Sequence, residues 1–193
     1  MAVVIIVLII LILFIATVVN GADSAYRNNT QAVNTKALLN ELINVQKIEK
    51  TARGIMLQEG VTNNEAIYFS ISSLLELIRQ TPIIDKQSAG LRVYSIIQND
   101  YPYLQKVIEQ CKPGNFDFIE HIALNAKHIV ETEGKSRDEA VYIAICMFYD
   151  DLSAKGSKAG IYDLLEVTRA IYPDIEEKIL KYAGLKKIKV SYD

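Results

Sequence analysis

The sequence has no tryptophan and little cysteine, histidine, proline or glycine. Its 193 residues include two Cys, two His, four Pro and nine Gly. Two cysteines are too few for a disulfide scaffold, and a structural zinc site needs about four ligands. We predict that Cys111 and Cys146 are buried free thiols. A single bridge between them is the alternative that the sequence leaves open.

The chain also lacks an excess of either charge. The formal net charge is −2, with 23% of the residues charged and 50% apolar. A nucleic-acid-binding surface needs clustered basic residues, so no nucleic-acid partner is predicted. The low Pro and Gly content excludes a disordered composition, and the apolar half is sufficient for a folded core.

No charged side chain occurs in the first 22 residues, which read MAVVIIVLIILILFIATVVNGA. Residues 2–19 are apolar except for Thr17, and as a helix they would span about 27 Å, close to the hydrocarbon thickness of a bilayer. A secretory signal peptide has a basic start and an apolar core of roughly 7–15 residues. The longer run and the missing basic residues favour an uncleaved, single-pass membrane anchor over a signal peptide cleaved near Gly21.

The orientation of such an anchor depends on the charges that flank it. Arg27 and Lys36 follow the apolar run, and no Lys or Arg precedes it. Under the positive-inside rule this favours the cytosolic side for the C-terminal domain. The tripeptide Asn28-Asn29-Thr30 is a glycosylation acceptor if that side is lumenal, so the opposite orientation stays open.

The composition divides the chain into five segments. Residues 1–22 are the anchor or signal sequence, and the polar residues 23–36 are predicted to form a linker. Residues 37–111 and 112–185 are predicted to be two helical repeats. Residues 186–193 form a basic tail, whose lysines are more typical of a solvated end than of a lipid-binding patch.

Two stretches of the chain are nearly the same. EGVTNNEAIY begins at Glu59 and EGKSRDEAVY begins at Glu133, an offset of 74 positions, and matches continue on both sides. After a shift of three positions, Tyr101-Pro102 aligns with Tyr172-Pro173. The matches occur in the same order in both halves of the chain, which predicts an internal duplication with units of about 41–111 and 115–184.

The repeated stretch has the composition of a turn between two helices. Thr62 and Glu65 have the spacing of a capping box that starts a helix, and so do Ser136 and Glu139. A glycine precedes each box by two positions, where the previous helix must end, because glycine accepts left-handed backbone without a steric cost.

Each repeat is predicted to form four helices. The spacing of Ile67, Ile71, Leu74, Leu75 and Ile78 gives the second helix one apolar face. The predicted fold is therefore all-α, with an N-terminal transmembrane helix followed by a duplicated four-helix unit that forms a helical bundle. The predicted helices are 37–58, 63–79, 89–98, 102–111, 116–132, 137–154, 160–170 and 173–183.

Three groups of polar residues resemble chemical sites but have simpler explanations. His121, His128 and Glu131 share a helix face but lack a zinc-binding motif. The string PDIEEK at 173–178 has the residue types of a nuclease motif, yet Pro, Asp and Glu at a helix start complement the helix dipole. The paired carboxylates at 150–151 are typical of a solvated helix end. We therefore predict no catalytic, cofactor-binding or metal-binding residue and no cofactor.

These observations predict a membrane-anchored, non-enzymatic structural or interaction protein. Its partners would be the lipid bilayer, through residues 2–19, and a protein that binds the helical repeats, with a homo-oligomer as one form of that partner. A composition rich in Ile, Asn, Lys and Tyr is compatible with an A+T-rich genome, so a virion membrane or minor capsid component is a specific version. The alternatives are a secreted or periplasmic helical protein that binds a small apolar ligand and, third, an enzyme.

Overall fold

The structure, a computed structural model, describes residues 41, 43–81, 85–110 and 117–184. The regular structure of these residues is entirely helical and contains no strand, which confirms the all-α prediction. None of the helices in the described ranges combines the length and the apolarity that a bilayer crossing requires. The predicted membrane segment 2–19, the linker 23–36, Cys111 and the basic tail 186–193 lie outside the described residues.

Eight α-helices and one 3₁₀ turn make up the described part of the chain. The turn, Pro102–Leu104, lies between the third and fourth α-helices. The α-helices are α1 Val45–Glu59, α2 Asn63–Gln80, α3 Lys86–Asp100, α4 Gln105–Gln110, α5 Phe118–Glu133, α6 Arg137–Ala154, α7 Lys158–Ile171 and α8 Pro173–Tyr182.

The observed bounds of four segments differ from the predicted ones, and side-chain caps explain three of these differences. Helix α1 begins at Val45, after a bend at Ile43 and Asn44 that interrupts the helix predicted for 37–58, and Asn44 Oδ1 accepts a hydrogen bond from the backbone N–H of Lys47. Helix α3 begins three residues earlier than predicted, because Asp85 accepts from two N–H groups of its first turn. Ser157 likewise starts α7 two residues early. Such caps satisfy N–H groups that have no partner within the helix.

The fourth difference is at residues 102–111. These were predicted to be one helix, but the structure has the 3₁₀ turn followed by the short helix α4. Pro102 removes an N–H donor at this point and fixes its own φ, which suits a tight first turn. Helices α2, α6 and α8 begin and end within about one residue of the predicted bounds, and α5 begins two residues later than predicted, after its cap Asp117.

The chain forms two compact units. Among the described residues, the first comprises those up to Ile55 together with those between Ala66 and Tyr101. Within it, Ser70 Oγ donates to the carbonyl oxygen of Ile48 over 3.0 Å, which joins α2 to α1. Its apolar core confirms the predicted face of α2, except that Leu75 is only half-buried. The buried core side chains include Ile48, Ala52, Ile55, Ile67, Ile71, Leu74, Ile78, Val93 and Ile97.

The second unit comprises Met56–Glu65 and the described residues from Pro102 to Gly184. Helix α5 packs against α6, α6 packs against α7 and α8, and α7 also contacts α4 and the 3₁₀ turn. All candidate polar sites that the sequence singles out lie in this unit. Its buried core side chains include Leu104, Val107, Ile119, Ile122, Ala126, Ile129, Val141, Ile145, Leu164, Ile171, Ile175 and Ile179.

Candidate functional site

The turn between α1 and α2 has the predicted geometry of a helix stop followed by a helix start. Gly60 has a φ of +62°, and its N–H donates to the carbonyl oxygen of Met56 over 3.0 Å. Thr62 Oγ1 accepts from the N–H of Glu65 over 3.3 Å, and Glu65 Oε2 accepts from the N–H of Thr62 over 2.7 Å. These reciprocal bonds are the predicted capping box.

The turn between α5 and α6 has the same local geometry. Gly134 has a φ of +65°, and its N–H donates to the carbonyl oxygen of Val130 over 3.1 Å. Ser136 and Glu139 form the second capping box, with both reciprocal hydrogen bonds present. Both turns were therefore predicted correctly at the level of individual hydrogen bonds.

Glu65 does more than cap a helix, because two distant side chains also bind its carboxylate. Arg137 Nη2 donates to Oε1 over 2.7 Å, and the hydroxyl of Tyr172 donates to the same oxygen over 2.9 Å. Arg137 is the first residue of α6, and Tyr172 immediately precedes α8. The starts of three helices therefore meet at one carboxylate, and we call Glu65, Arg137 and Tyr172 the carboxylate cluster.

The carboxylate cluster is buried. Glu65 is 0% exposed, and the side chain of Arg137 is 18% exposed. Burial raises the pKa of the Tyr172 phenol well above its usual value of 10, and the neighbouring Glu65 carboxylate raises it further. The phenol is thereby kept protonated as a hydrogen-bond donor to Glu65. This arrangement suits a structural tie between helix starts, since no part of Glu65 is open to a substrate.

The second capping-box carboxylate has a different environment. Glu139 is exposed, whereas its counterpart Glu65 is buried. Hydrogen bonds from the backbone N–H and then the side chain of Ser136 lower the pKa of Glu139. The same local sequence therefore gives a solvated cap in one turn and the centre of a buried ion pair in the other.

A cleft of about 240 Å³ lies beside the carboxylate cluster, with Tyr172 in its wall. The first residues of α2, α6 and α8 border it. Two lining residues are joined by a hydrogen bond, which Asn64 Nδ2 donates to the carbonyl oxygen of Ile171 over 3.1 Å. One part of the lining is apolar, and another carries carboxylate and amide groups. The lining residues are Thr62, Asn63, Asn64, Asp138, Val141, Ile171, Tyr172, Pro173, Asp174 and Ile175.

A second polar cluster joins α6 to the end of α8. The Tyr182 hydroxyl donates to Asp150 Oδ2 over 2.6 Å, and this bond raises the pKa of Tyr182 to about 12. The ring of Tyr182 makes edge-to-face contacts with Tyr142 and Tyr149 at centroid distances of 6.4 and 6.2 Å. Asp150, expected to be merely solvated at a helix end, thus accepts a hydrogen bond from α8.

The thiol of Cys146 lies in the same region of α6. It is free and buried, as predicted for this residue. Burial raises its pKa, which lowers the fraction of nucleophilic thiolate. This thiol therefore has the properties of a small core side chain.

The two histidines lie on α5, where a shared helix face was predicted. His121, His128 and Glu131 are all exposed on α5, and the His121 ring contacts Phe148 at a centroid distance of 6.5 Å. The described ranges contain no group of three or more His, Cys, Asp or Glu side chains that could hold a metal ion.

The other polar groups singled out in the sequence lie at helix ends. Residues 173–178 form the first two turns of α8, with Asp174 and Glu176 in its first turn. Glu176 accepts from Arg169 Nε over 2.9 Å. Asp151 pairs with Lys155 over 2.7 Å at the end of α6. Each of these carboxylates has a role in local helix structure or pairing.

Sequence reasoning missed the carboxylate cluster and the cleft. Glu65 was identified only as a helix cap, and Arg137 and Tyr172 were identified only as neighbours of helix starts. The one available signal was the position of Tyr-Pro before α8 and of Arg after the second capping serine. That signal places each residue at a helix end but does not bring the ends together.

Comparison with known proteins gives no relative from which a function could be transferred. The chain matches no protein-family model, no curated protein and no solved structure.

Proposed function

We propose that this chain is a membrane-anchored, non-enzymatic interaction protein that presents a helical domain on one side of a bilayer. The observation that carries the proposal is the uncharged apolar run at 2–19, which is long enough for a bilayer and precedes a helical region with buried cores. Residues 23–36 would separate the two, and the charges at Arg27 and Lys36 favour the cytosolic side for the helical domain.

We further propose that the helical domain is a duplication. Two pairs of features support this: the left-handed glycines at 60 and 134, and the capping boxes at 62–65 and 136–139. Tyr101 and Tyr172 add a third, because each ends a helix with nearly the same backbone angles, φ −135° and ψ 52° against φ −124° and ψ 53°. Helical repeats commonly provide extended binding surfaces.

The partners of the polar groups support a role without catalysis. Glu65 is enclosed by Arg137 and Tyr172, Asp150 accepts from Tyr182, and Asp151 pairs with Lys155. General acid–base catalysis needs such groups within reach of a substrate, whereas Glu65 has no exposed surface. Asp150 and Asp151 are exposed, but each already accepts from a neighbouring side chain, Asp150 from α8 and Asp151 at the end of its own helix. A virion membrane or minor capsid component is a specific form of the proposal, supported by the composition alone.

The proposal is tested by membrane fractionation and intact mass. The full-length chain and a variant lacking residues 2–22 are expressed in parallel, and membranes are washed with alkaline carbonate before detergent extraction. We expect the full-length chain at its unprocessed mass of 21.7 kDa in the detergent fraction, with the deletion variant in the supernatant. A full-length chain recovered in the supernatant at a mass shorter by about the first 21 residues would support the secreted alternative instead.

Topology is read separately on sealed membranes. Protease added outside inverted vesicles should digest the helical domain if it faces the cytosol, and detergent should make no difference. Protection until detergent is added, together with glycosylation at Asn28, would reverse the orientation while leaving the anchor intact.

A further inference from the structure

We propose that Tyr182 is a site of oxidative modification, at which a one-electron oxidant closes a dityrosine bond to Tyr149 and so links α8 covalently to α6. The residues that carry this chemistry are Tyr142, Tyr149 and Tyr182, called the tyrosine cluster below, together with Asp150. The modification is independent of the membrane anchor, so it goes beyond the proposed function and is tested separately from it.

The amino-acid composition makes tyrosine the main target of a one-electron oxidant. Tryptophan, the other aromatic side chain that such oxidants attack, is absent from the chain, whereas eleven tyrosines are present. Cys146, the free thiol on α6, is buried, and burial raises its pKa. It therefore stays a protonated thiol, which is oxidised less readily than a thiolate.

Asp150 supplies the proton acceptor that oxidation of a phenol requires. A phenol that loses an electron becomes a very strong acid, so the electron is lost most easily where a base already holds the hydroxyl proton. The Tyr182 hydroxyl donates to Asp150 Oδ2 over 2.6 Å, which is a short hydrogen bond of the kind that carboxylates accept. The Tyr182 side chain is also 46% exposed, so a dissolved oxidant can reach its ring.

Tyr149 is the coupling partner of Tyr182. Their rings meet edge to face at a centroid distance of 6.2 Å, against 6.4 Å for the rings of Tyr142 and Tyr182. The Tyr149 hydroxyl also donates to the carbonyl oxygen of Ala183 over 3.3 Å, which holds the ring beside the residue that follows Tyr182. Coupling requires the two rings to turn toward each other. Tyr182 is exposed and Tyr149 is half-buried, and side chains at a surface rotate rapidly.

The reaction removes two electrons and two protons from the chain. One oxidant takes an electron from Tyr182 while its hydroxyl proton passes to Asp150. A second oxidant takes an electron from Tyr149, whose proton passes to water. The two phenoxyl radicals then form a carbon–carbon bond between the ring positions beside their hydroxyl groups. The hydrogens on these two carbons move to the phenol oxygens, so the product is two hydrogen atoms lighter than the starting chain.

The test is photo-oxidation of the full-length chain in uncharged detergent micelles. Ruthenium tris(bipyridine) and persulfate in light supply the one-electron oxidant. We expect the monomer band of a denaturing gel to acquire the fluorescence of dityrosine. Trypsin should then release fragment 138–155 joined to fragment 182–186, and fragmentation in the mass spectrometer should locate the bond at Tyr149. Dityrosine confined to dimer bands, or a bond located at Tyr142, would overturn the inference.

Tyrosine variants connect the product to this pair. Tyr182→Phe and Tyr149→Phe should each lower the yield of dityrosine in the monomer band at least tenfold. Tyr162→Phe is the matched control, since Tyr162 is 61% exposed on α7, and it should leave the yield unchanged. Unchanged far-ultraviolet circular dichroism verifies that the variants fold. A yield that falls equally in all three variants would mean that exposure alone directs the oxidation.

Asp150→Asn tests the proton acceptor separately from the ring contacts. An amide cannot take up the phenol proton, so the variant should form the bond at least fivefold more slowly at neutral pH. A higher concentration of buffer base should restore part of that rate in the variant and leave the unsubstituted chain unchanged. Such rescue distinguishes proton acceptance from a purely structural role of Asp150. Equal rates in the variant and the unsubstituted chain would contradict the role assigned to this carboxylate.

Discussion

Arg137 Nη2 lies 2.7 Å from Glu65 Oε1, although the two residues are 72 positions apart in the chain. Glu65 has no exposed surface, and most of the Arg137 side chain is covered. A buried charge that loses its partner costs far more than an exposed one, because neither water nor another charge compensates it. The pair therefore makes the start of α2 and the start of α6 dependent on each other.

Replacing one member of this pair should destabilise the protein strongly. We expect Arg137→Met to lower the free energy of unfolding by about 3 kcal/mol, since it leaves the Glu65 carboxylate buried without its cation. Urea denaturation followed by circular dichroism measures the change. The double variant Glu65→Gln with Arg137→Met should lose less than the sum of the two single losses, because it removes both charges.

Glu139→Gln is the matched control for Glu65→Gln. Both glutamates occupy the same position of a capping box, but Glu139 is exposed, and glutamine also serves in such a box. The substitution Glu139→Gln should lower the free energy of unfolding by no more than about 0.5 kcal/mol. Equal losses for the two substitutions would mean that burial of Glu65 contributes nothing beyond the cap.

The two capping boxes show how far the sequence alone could predict this structure. Local spacing identified both boxes and both left-handed glycines, because those bonds join residues three or four positions apart. The side-chain caps Asn44 and Asp85 were equally local signals. The break before α1 and the early start of α3 were missed because these caps were not used.

Burial of Glu65 could not be predicted in the same way. Its partners lie 72 and 107 positions away, and only the packing of the second unit brings them to the same carboxylate. The cleft has the same origin, since its lining comes from the starts of three helices that are distant in the chain. A sequence pattern reports contacts within a helix and its caps, so it contains no direct sign of either.

Tyr172→Phe should reveal the hydrogen bond to Glu65 through its dependence on pH. The folded pKa of Tyr172 lies well above the unfolded value of about 10, so the folded chain keeps a proton that the unfolded chain loses. The contribution of the hydroxyl is therefore complete below pH 10 and declines as the pH rises above it. Below pH 10 the substitution should cost about 1.5–3 kcal/mol, as for a hydrogen bond to a charged group.

The measurement is the free energy of unfolding of both proteins between pH 7 and about pH 11.5. We expect a constant difference up to pH 10 and a shrinking difference above it. Tyr162→Phe is the control, because the Tyr162 side chain is 61% exposed and should show no such difference. A difference that grows with pH above 10 would contradict the assigned direction of the pKa shift.

Two glycine-to-alanine substitutions should have opposite effects on stability. Gly134 has a φ of +65°, where a Cβ atom is strained, so Gly134→Ala should lower the free energy of unfolding by about 1–2 kcal/mol. Gly54 lies inside α1 without positive φ, and an added Cβ would meet no atom within 4 Å. Gly54→Ala should therefore raise stability by about 0.5–1 kcal/mol. Thermal denaturation of the two variants checks the signs, and a loss in both would contradict the backbone argument.

Equivalent core positions of the proposed duplication should respond alike to truncation. Ile71 in α2 aligns with Ile145 in α6, and both side chains are 0% exposed. Replacing either by Ala removes buried methyl groups and leaves a cavity, so each change should cost about 2–5 kcal/mol. Native-state hydrogen exchange of amides in α2 and in α6 measures the loss separately in each unit.

Leu91→Ala is the control for these truncations, because Leu91 is 65% exposed on α3 and its replacement should change stability by less than about 0.5 kcal/mol. The comparison tests one expectation of the alignment, namely that residues 74 positions apart occupy equally buried places in the two cores. One substitution could lower the free energy of unfolding by less than about 1 kcal/mol and the other by more than about 3 kcal/mol. The side chains at the aligned position would then contribute differently to the two cores. The duplication would then rest on its turns alone.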